Sequence, residues 1–206
     1  MNKNIKYSFE VDILTERFKQ SLIEAGRELF IQYSLQKTTI QDITQSVGVA
    51  TGTFYNYFSS KEHLYFAVLE QEEKVMQQTL KDIPEIKGRN GREILHELLS
   101  KVVFDIQRNP FIQQLLDSDQ LKRLTHKLPQ AVLEDHFKRD EDTFVSVVQV
   151  WQKHGLINHQ NPTKVASIIR ALFVLTLHEY EIGKDYFETT IEWYIERIVD
   201  GLMKGV

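Results

Sequence analysis

Apolar residues recur every three or four positions through almost the whole of this 206-residue chain. Between residues 17 and 33, for example, Phe18, Leu22, Leu29 and Phe30 fall on one side of a helical wheel. Later segments repeat this pattern between helix start and stop signals, and no segment predicts a strand with comparable strength. The sequence therefore predicts an all-α fold of about nine helices.

Short polar motifs mark where several of these helices begin and end. Thr39, followed three residues later by Asp42, forms a capping box, and Gly48 is a helix-ending glycine. Ser59 and Glu62 repeat the capping-box spacing. These signals predict a short helix between Thr39 and Gly48, and a longer helix that begins after Ser59.

The stretch GVATGTFYNYF, residues 48–58, has the threonines and aromatic residues that favour a strand. A strand, however, would place Gly52 and Asn56 on the apolar side with Phe54 and Phe58. A helix brings these two phenylalanines together, four residues apart, and separates apolar from polar groups more cleanly. The sequence from Thr39 to Phe58 thus predicts helix, tight turn and helix, which is the plan of a helix-turn-helix motif.

Composition excludes several classes of protein. The absence of cysteine rules out a disulfide scaffold, a thiol nucleophile and thiolate zinc sites, and it suits a cytoplasmic protein. The N-terminus lacks the apolar run of a signal peptide, and the longest apolar run, residues 165–177, is shorter than the roughly 20 residues that a bilayer requires. Motifs for a serine nucleophile, a phosphate-binding loop and a zinc protease are missing, so we expect no enzyme, no cofactor and no metal site.

The charge is not that of a strongly basic nucleic-acid protein. The whole chain has a net charge of −4, and basic and acidic residues balance over residues 1–64. Any DNA-binding site must therefore be a local patch, because no global positive field is available to attract phosphates.

The segment TTIQDITQSVGVATGTFYNYFSSKEHLYFAVL resembles the N-terminal domain of the tetracycline-repressor (TetR) family of regulators. The resemblance covers about residues 17–69, and it rests on a long, ordered motif. The rest of the chain matches the family only in the number and length of its helices. The matching residues are Thr39, Ile43, Gly48, Val49, Gly52, Thr53, Tyr55, Tyr57, Phe58, Lys61, Glu62 and Leu64.

The resemblance implies that part of this motif binds DNA. Residues 51–57 would form the recognition helix in the major groove, with Thr51 and Asn56 nearest to base edges. Gly52 would let the backbone approach the DNA closely. The remaining motif residues would contact phosphates: Thr39, Thr53, Tyr55, Tyr57 and Lys61. Without the resemblance, Thr53, Tyr55 and Lys61 are ordinary solvent-facing residues, and Tyr57 fits the core equally well.

The chain departs from the family pattern at its base-reading position. Members often carry Lys or Arg where this chain has Thr51, and Thr44 replaces the usual small alanine. Lys61 is the only cation between Lys37 and Lys74. We therefore expect basic residues nearer the N-terminus to add phosphate contacts: Lys3 and Lys6, or Arg17 and Lys19.

The resemblance also implies two domains. Residues 1–60 would form the helix-turn-helix DNA-binding domain, with a short N-terminal extension over residues 1–14. Residues 61–206 would form a ligand-binding and dimerisation domain, and the longer, more apolar helices beyond residues 60–80 suit a helical bundle.

Two sets of residues in the second domain are candidates for its functions. For the effector-pocket set the alternative is an ordinary apolar core, with Arg170 paired to a carboxylate at the dimer interface and His178 as a satisfied core histidine. For the dimer-interface set the alternative is a monomeric core. The candidates for the effector pocket are Phe104, Phe111, Phe144, Trp151, Arg170, Phe173 and His178. The candidates for the dimer interface are Ile191, Trp193, Tyr194, Ile195, Ile198 and Leu202.

The sequence thus predicts a homodimeric transcriptional regulator that binds double-stranded operator DNA. It would be a repressor released by a small-molecule effector that is partly apolar. The alternative is a helical ligand sensor that acts through protein contacts without DNA, and a helical enzyme ranks third. The polar side of residues 51–57 discriminates between the first two, because a DNA-binding face must not be packed against other helices.

Overall fold

A computed structural model describes residues 3–83, 89–115, 124, 126–158 and 161–204. Within these ranges it describes the side chains from residue 14 onward, except that of residue 115. Ten helices and no strand have their bounds in these residues, which confirms the all-α prediction. The helices are α1 (Lys3–Lys37), α2 (Ile40–Val47), α3 (Thr51–Phe54), α4 (Lys61–Lys81), α5 (Gly91–Arg108), α6 (Pro110–Leu115), α7 (Gln130–Lys153), α8 (Pro162–Thr176), α9 (Glu179–Ile182) and α10 (Phe187–Lys204).

The chain divides into two compact units. The first comprises Met1–Glu72 with Asp117–Leu128, and the second comprises Glu73–Leu116 with Pro129–Val206. The division falls within α4, twelve residues after the predicted domain boundary. The predicted boundary, between residues 60 and 61, separates a DNA-binding domain from a ligand-binding domain, whereas the two units are defined by packing. The boundary therefore stays a prediction. The predicted linker over residues 84–91 lies mostly outside the described residues, as does the end of the predicted helix over residues 111–122.

The core of the first unit is formed by α1, α2, α3 and the beginning of α4. Leu22 and Phe30 of α1 are fully buried, as are Ile43 of α2 and Phe54 of α3. Phe58, which is also buried, packs its ring 5.7 Å from that of Phe54, as the spacing of the two predicts. Burial of these aromatic rings anchors the short α3, which is too short to be stable by itself.

Two local predictions in this unit are wrong in detail. The predicted helix over residues 51–57 ends at Phe54, because Asn56 and Tyr57 donate their backbone N–H groups to residues three positions earlier and form turns instead. The second capping box is also displaced. The Ser60 hydroxyl, not that of Ser59, accepts the backbone N–H of His63 at 3.1 Å. Glu62, the expected partner of Ser59, is buried and accepts a hydrogen bond from Lys127 instead.

The second unit is a bundle of long helices around one apolar core. Helices α7 and α8 pack together, and α10 packs against α5 and α8. Trp151 of α7 is fully buried, and its indole N–H donates to the backbone oxygen of Leu80 at 2.8 Å. As predicted, Asn161 caps α8, with its side-chain oxygen accepting from Thr163 and Lys164. None of the helices within the described residues is both long and apolar enough to cross a bilayer.

Candidate nucleic-acid interface

Helices α2 and α3 are joined by a tight turn whose ends are fixed by local hydrogen bonds. The predicted capping box is confirmed: the Asp42 backbone N–H donates to the Thr39 hydroxyl oxygen at 3.1 Å, and the Thr39 backbone N–H donates to the Asp42 carboxylate at 2.9 Å. Gly48 ends α2 with a φ of 77°, a left-handed conformation in which a glycine has no steric penalty. The turn is thereby set by the sequence between residues 39 and 48.

The polar side of residues 51–57 is open to solvent. Thr51, Gly52 and Asn56 are exposed, and Tyr55 is 58% exposed. The Tyr55 ring contacts only the edge of Phe54 among the ring contacts of the described residues, at a centroid distance of 5.6 Å. Because no helix of the described residues covers this side, the surface is available to an external partner.

Gly52 has no role in the packing of the chain. A Cβ atom added there would meet nothing within 4 Å, and its φ is not in the left-handed range. Glycine in a helix lowers helix stability by about 0.5–1 kcal/mol relative to alanine. Helix α3 is therefore less stable with glycine at position 52 than it would be with alanine, and packing does not require the glycine.

Thr51 points toward the junction between α2 and α3. Its hydroxyl oxygen lies 3.5 Å from that of Thr44, the residue that replaces the usual alanine. Thr44 is buried and donates to the backbone oxygens of Ile40 and Gln41 at 3.0 and 3.1 Å, so its hydroxyl is satisfied inside α2. Threonine is tolerated at this position because the helix backbone supplies its partner.

Lys61 and Tyr57 both have partners within the first unit. The Lys61 ammonium group donates to the backbone oxygens of Gln36 and Thr38, at 3.2 and 2.9 Å. It therefore caps the end of α1, which leaves one of its three N–H groups for another acceptor. The half-buried Tyr57 stacks on Phe18, with ring centroids 6.0 Å apart. Both residues thus have a structural role beside the predicted phosphate contact.

The electrostatics of the interface are almost neutral. Residues 38–60 contain no Lys or Arg, and Asp42 is the only acidic residue among them. The hydrogen bond from the Thr39 hydroxyl lowers the pKa of Asp42, so its carboxylate stays ionised while it serves the capping box. Among the predicted sources of additional charge, Arg17 is exposed and Lys19 is half-buried, whereas the side chains of Lys3 and Lys6 lie outside the described part of the chain.

Comparison with known proteins assigns this motif to a family. The model of the bacterial regulatory proteins of the tetR family matches residues 22–68, which include α2, the turn and α3. Over these residues the chain is similar to the TetR family. This match covers the part of the chain in which sequence pattern, turn geometry and exposed polar face coincide.

Relatives with curated names are regulators. Residues of this chain are 36% identical over 62 positions to the HTH-type transcriptional repressor DhaR of Mycobacterium sp. (strain GP1), and 39% identical over 70 positions to the uncharacterised HTH-type transcriptional regulator YvdT of Bacillus subtilis. These segments cover 30% and 34% of this chain, but only 31% and 33% of the relatives, about a third of their length. A longer match, to the HTH-type transcriptional repressor AcnR of Corynebacterium diphtheriae, covers 89% of this chain and 82% of the relative at 21% identity.

Solved structures share the fold over nearly the whole chain. A TetR-family transcriptional regulator from Pectobacterium atrosepticum has a TM-score of 0.65 and 19% identity, with 91% of this chain and 95% of that one covered. The transcriptional regulator FadR from Bacillus subtilis, in complex with stearoyl-CoA, has a TM-score of 0.52 and 17% identity, with 91% and 98% covered. At these identities the likeness extends the TetR fold to the second unit without assigning a ligand.

The effector-pocket candidates separate into two groups. Phe144, Trp151 and Phe173 share the core of the second unit, with the Phe144 and Phe173 rings 5.8 Å apart, and Phe111 is buried as well. Phe104 and His178 instead lie at the surface. The Phe104 ring is half exposed beneath the guanidinium of Arg108, at 4.1 Å, and His178 lies at the break between α8 and α9, 3.5 Å from Glu181.

Arg170 is paired to a carboxylate of its own chain, and it belongs to a polar cluster whose other members the sequence did not predict. Its guanidinium lies 3.5 Å from the carboxylate of Asp140, which also accepts a hydrogen bond from the buried Gln77 at 3.0 Å. His136 and Glu73 form a second pair between α7 and α4, at 3.7 Å. Burial raises the pKa of Asp140, although Arg170, His136 and Gln77 all act to lower it. Sequence alone offered no signal for this cluster, because its members come from three helices.

The dimer-interface candidates also separate by the face of α10 on which they lie. Ile191, Ile195 and Leu202 are buried in the core of their own chain, and Ile198 packs partly against that core. Trp193 lies on the opposite side and is 56% exposed, and Tyr194 lies between the two sides and is 39% exposed. The difference arises because residues at positions 191, 195 and 202 share one helical face, which α5 and α8 cover.

The histidines and carboxylates of the described residues are not grouped as metal ligands. No three His, Asp or Glu side chains in that part of the chain are arranged to hold a metal ion. His159, which the sequence places in a loop near His154, lies outside those residues, and His154 bonds to the backbone oxygen of Val150 at 2.9 Å.

Proposed function

We propose that this chain is a sequence-specific DNA-binding transcriptional regulator, and that it is a repressor released by a small-molecule effector. The curated relatives named above support a role in transcription, and two of the three are repressors. The single observation that carries the proposal is Gly52, an exposed glycine that packing does not require, on a polar surface that the described helices leave open.

The physical argument rests on the close approach of two backbones. In helix-turn-helix proteins the second helix enters the major groove, where the first residues of the helix meet base edges. A Cβ atom at position 52 would project into open solvent in the free protein, so it would disturb only something that docks there. Thr51 and Asn56 flank this point for base contacts, and Thr39, Thr53, Tyr55, Tyr57 and Lys61 surround it for phosphates.

Substitution of Gly52 by alanine tests the proposal directly. Gly52→Ala should raise the stability of the first unit by about 0.5–1 kcal/mol, and should weaken binding to an operator selected from host DNA by more than tenfold. Thermal unfolding and fluorescence anisotropy with labelled duplex measure the two effects. The test is decisive because stability should rise while DNA affinity falls. Misfolding could lower the affinity, but it could not raise the stability at the same time.

A second glycine provides the matched control. Gly201 in α10 also has open space around the position of a Cβ atom, and it lies in the other unit. Gly201→Ala should stabilise the protein similarly and, in a sample that light scattering shows to have kept the wild-type oligomeric state, leave DNA affinity unchanged. Light scattering is needed because α10 also carries the proposed dimer interface. Full operator affinity in Gly52→Ala, or no salt-dependent DNA binding by the wild type, would refute the proposed function.

Release by an effector is proposed through linkage. A ligand that binds better to a state with low operator affinity shifts the protein toward that state by its differential affinity alone. FadR, which shares the fold, carries stearoyl-CoA, and this supports a partly apolar effector in the second unit. Phe144, Trp151 and Phe173 would supply the apolar contacts, and the pair of Asp140 and Arg170 would supply the polar ones.

Homodimerisation is proposed through the exposed side of α10. Trp193 and Tyr194 expose large rings there, and exposed apolar surface of this kind is common where proteins associate. Dimerisation would present two recognition helices to half-sites about 34 Å apart, which is one turn of DNA.

A further inference from the structure

Helices α2 and α3 border an open groove of about 410 Å³, here called the α2–α3 groove, whose polar residues suggest an additional contribution to specificity. Gln41 and Gln45 of α2 line it on one side, and Ala50 and Thr51 line it on the other. The groove thus joins the start of the recognition helix to the exposed side of the helix before it. Neither glutamine is among the residues that the sequence predicts to contact DNA.

The two glutamines lie side by side on α2. They are four residues apart, which places them on one face of the helix, and both are exposed. The opposite face carries the buried Ile43. Neither amide side chain forms a hydrogen bond within the described part of the chain, although the backbone oxygens of both residues are used. Both amides are therefore open to an external partner.

The chemistry around the groove restricts what these amides can bind. Residues 38–60 supply no cation, so the arginine-to-guanine contact that is common in the major groove is unavailable here. An amide side chain offers one donor and one acceptor group, which match N7 and N6 of adenine. Thr51, at the position where a cation is usual, has its hydroxyl oxygen 3.5 Å from that of Thr44, and a single hydroxyl cannot pair bidentately with a base as an amide can.

We propose that Gln41 and Gln45 contact base edges and select adenine at the base pairs they meet. This inference rests on the proposed function. Specificity in this chain would then come from two neutral amides on α2 and a third, that of Asn56, in the turn after α3, instead of from a cation on α3. The operator should accordingly be rich in A·T pairs where α2 and α3 meet it.

The test begins with selection from a pool of random-sequence duplexes by the wild-type protein. Affinities are then measured for the selected site and for each single base-pair replacement in it. Gln41→Ala and Gln45→Ala should each lose discrimination at one or two base pairs, by about five- to 150-fold, and retain it at all the others. Gln32→Ala, which removes an exposed glutamine of α1 outside the groove, should leave the whole profile unchanged.

A gain-of-specificity variant tests the same idea in the other direction. Gln45→Arg should change the preferred base from adenine to guanine at the position where Gln45→Ala loses discrimination, because a guanidinium pairs with O6 and N7 of guanine. Gln45→Met, which has a similar length but cannot donate, should behave as the alanine variant does.

Several outcomes would overturn the inference. A uniform loss of affinity on all sequences would make the glutamines backbone contacts, and an unchanged profile would remove them from the interface. In both cases the proposed function would stand if Gly52→Ala still abolished binding. If the wild-type protein enriched no sequence and bound duplex without salt dependence, the proposed function and this inference would fail together.

Discussion

The two units of this chain leave different groups unsatisfied. In the first unit, polar side chains around the α2–α3 groove are exposed, and Asn56, Gln41 and Gln45 lack side-chain partners within the described residues. In the second unit the polar groups of Gln77 and Asp140 are paired with each other inside the bundle. The second unit also exposes large aromatic rings, among them those of Tyr180, Tyr186 and Trp193.

This difference indicates different partners. Unpaired amides and hydroxyls on an open surface suit the edges of bases, which offer donors and acceptors in fixed positions. Exposed rings such as Trp193, Tyr186 and the 94% exposed Tyr180 suit another protein surface, where burial of apolar area is the driving force. A polar partner for the first unit and an apolar partner for the second is the arrangement expected of a dimeric DNA-binding protein.

The largest expected effect contrasts the two tryptophans of the second unit. Trp151 is fully buried and Trp193 is 56% exposed. Trp151→Ala should lower the free energy of unfolding by about 3–5 kcal/mol, because it leaves a cavity and removes a buried hydrogen bond. Trp193→Ala should change the stability of the monomer by less than about 0.5 kcal/mol, yet weaken dimerisation. Chemical denaturation at two protein concentrations, with light scattering, separates the effects.

This contrast would break down in two ways. Equal destabilisation by the two variants, independent of protein concentration, would mean that Trp193 belongs to the core of its own chain. A wild-type protein that scatters light as a monomer of 24.2 kDa at micromolar concentration would reject the proposed dimer.

An intermediate effect is expected at Ser34, where the first unit is strained. Ser34 interrupts α1 with φ 69° and ψ 162°, a region that glycine adopts without steric penalty and other residues rarely enter. Ser34→Gly should raise the free energy of unfolding by about 1 kcal/mol. Ser46→Gly, within the regular helix α2, should lower it by roughly 0.5–1 kcal/mol. If urea denaturation gave the same sign for both variants, the strain at Ser34 would be refuted.

The smallest effects are expected from two carboxylates whose pKa values move in opposite directions. Burial raises the pKa of Asp140 above its usual 3.8, which means that the folded state favours the protonated carboxyl group. The resulting stabilisation is fully present below pH 3.8 and is lost as pH rises through the folded pKa. Asp140→Asn, which stays neutral, should therefore gain stability relative to the wild type as pH rises from about 3.5 to 7.

Asp42 should give the opposite result. The hydrogen bond from the Thr39 hydroxyl lowers its pKa below 3.8, so the stabilisation by its carboxylate is present above that value and is lost as pH falls through the folded pKa. Asp42→Asn should be less stable than the wild type at neutral pH and approach it in acid. Urea denaturation as a function of pH measures both variants, and a common sign would show that the two environments do not differ.

The features that the sequence predicted are those controlled by neighbours along the chain. Thr39 with Asp42, Gly48 and Asn161 act within four residues, so their roles as caps follow from the local sequence alone. The long motif around Gly52 and Tyr55 revealed the resemblance to the TetR family for the same reason. The end of α3 was harder to predict. After Phe54 the backbone N–H groups bond three residues back instead of four, and this small difference leaves no clear mark in the sequence.

Tertiary structure alone decided the remaining features. Lys61 reaches the backbone oxygen of Thr38, 23 residues earlier, and Asp140 meets Gln77 and Arg170 from two other helices. Such contacts depend on helix orientation, which periodicity does not encode. The apolar positions of α10 showed that some surface must be buried, but packing decided that Ile191 faces the core and Trp193 faces outward. Sequence thus determined the helices and the DNA-binding motif, whereas packing determined which polar and aromatic groups remain available to partners.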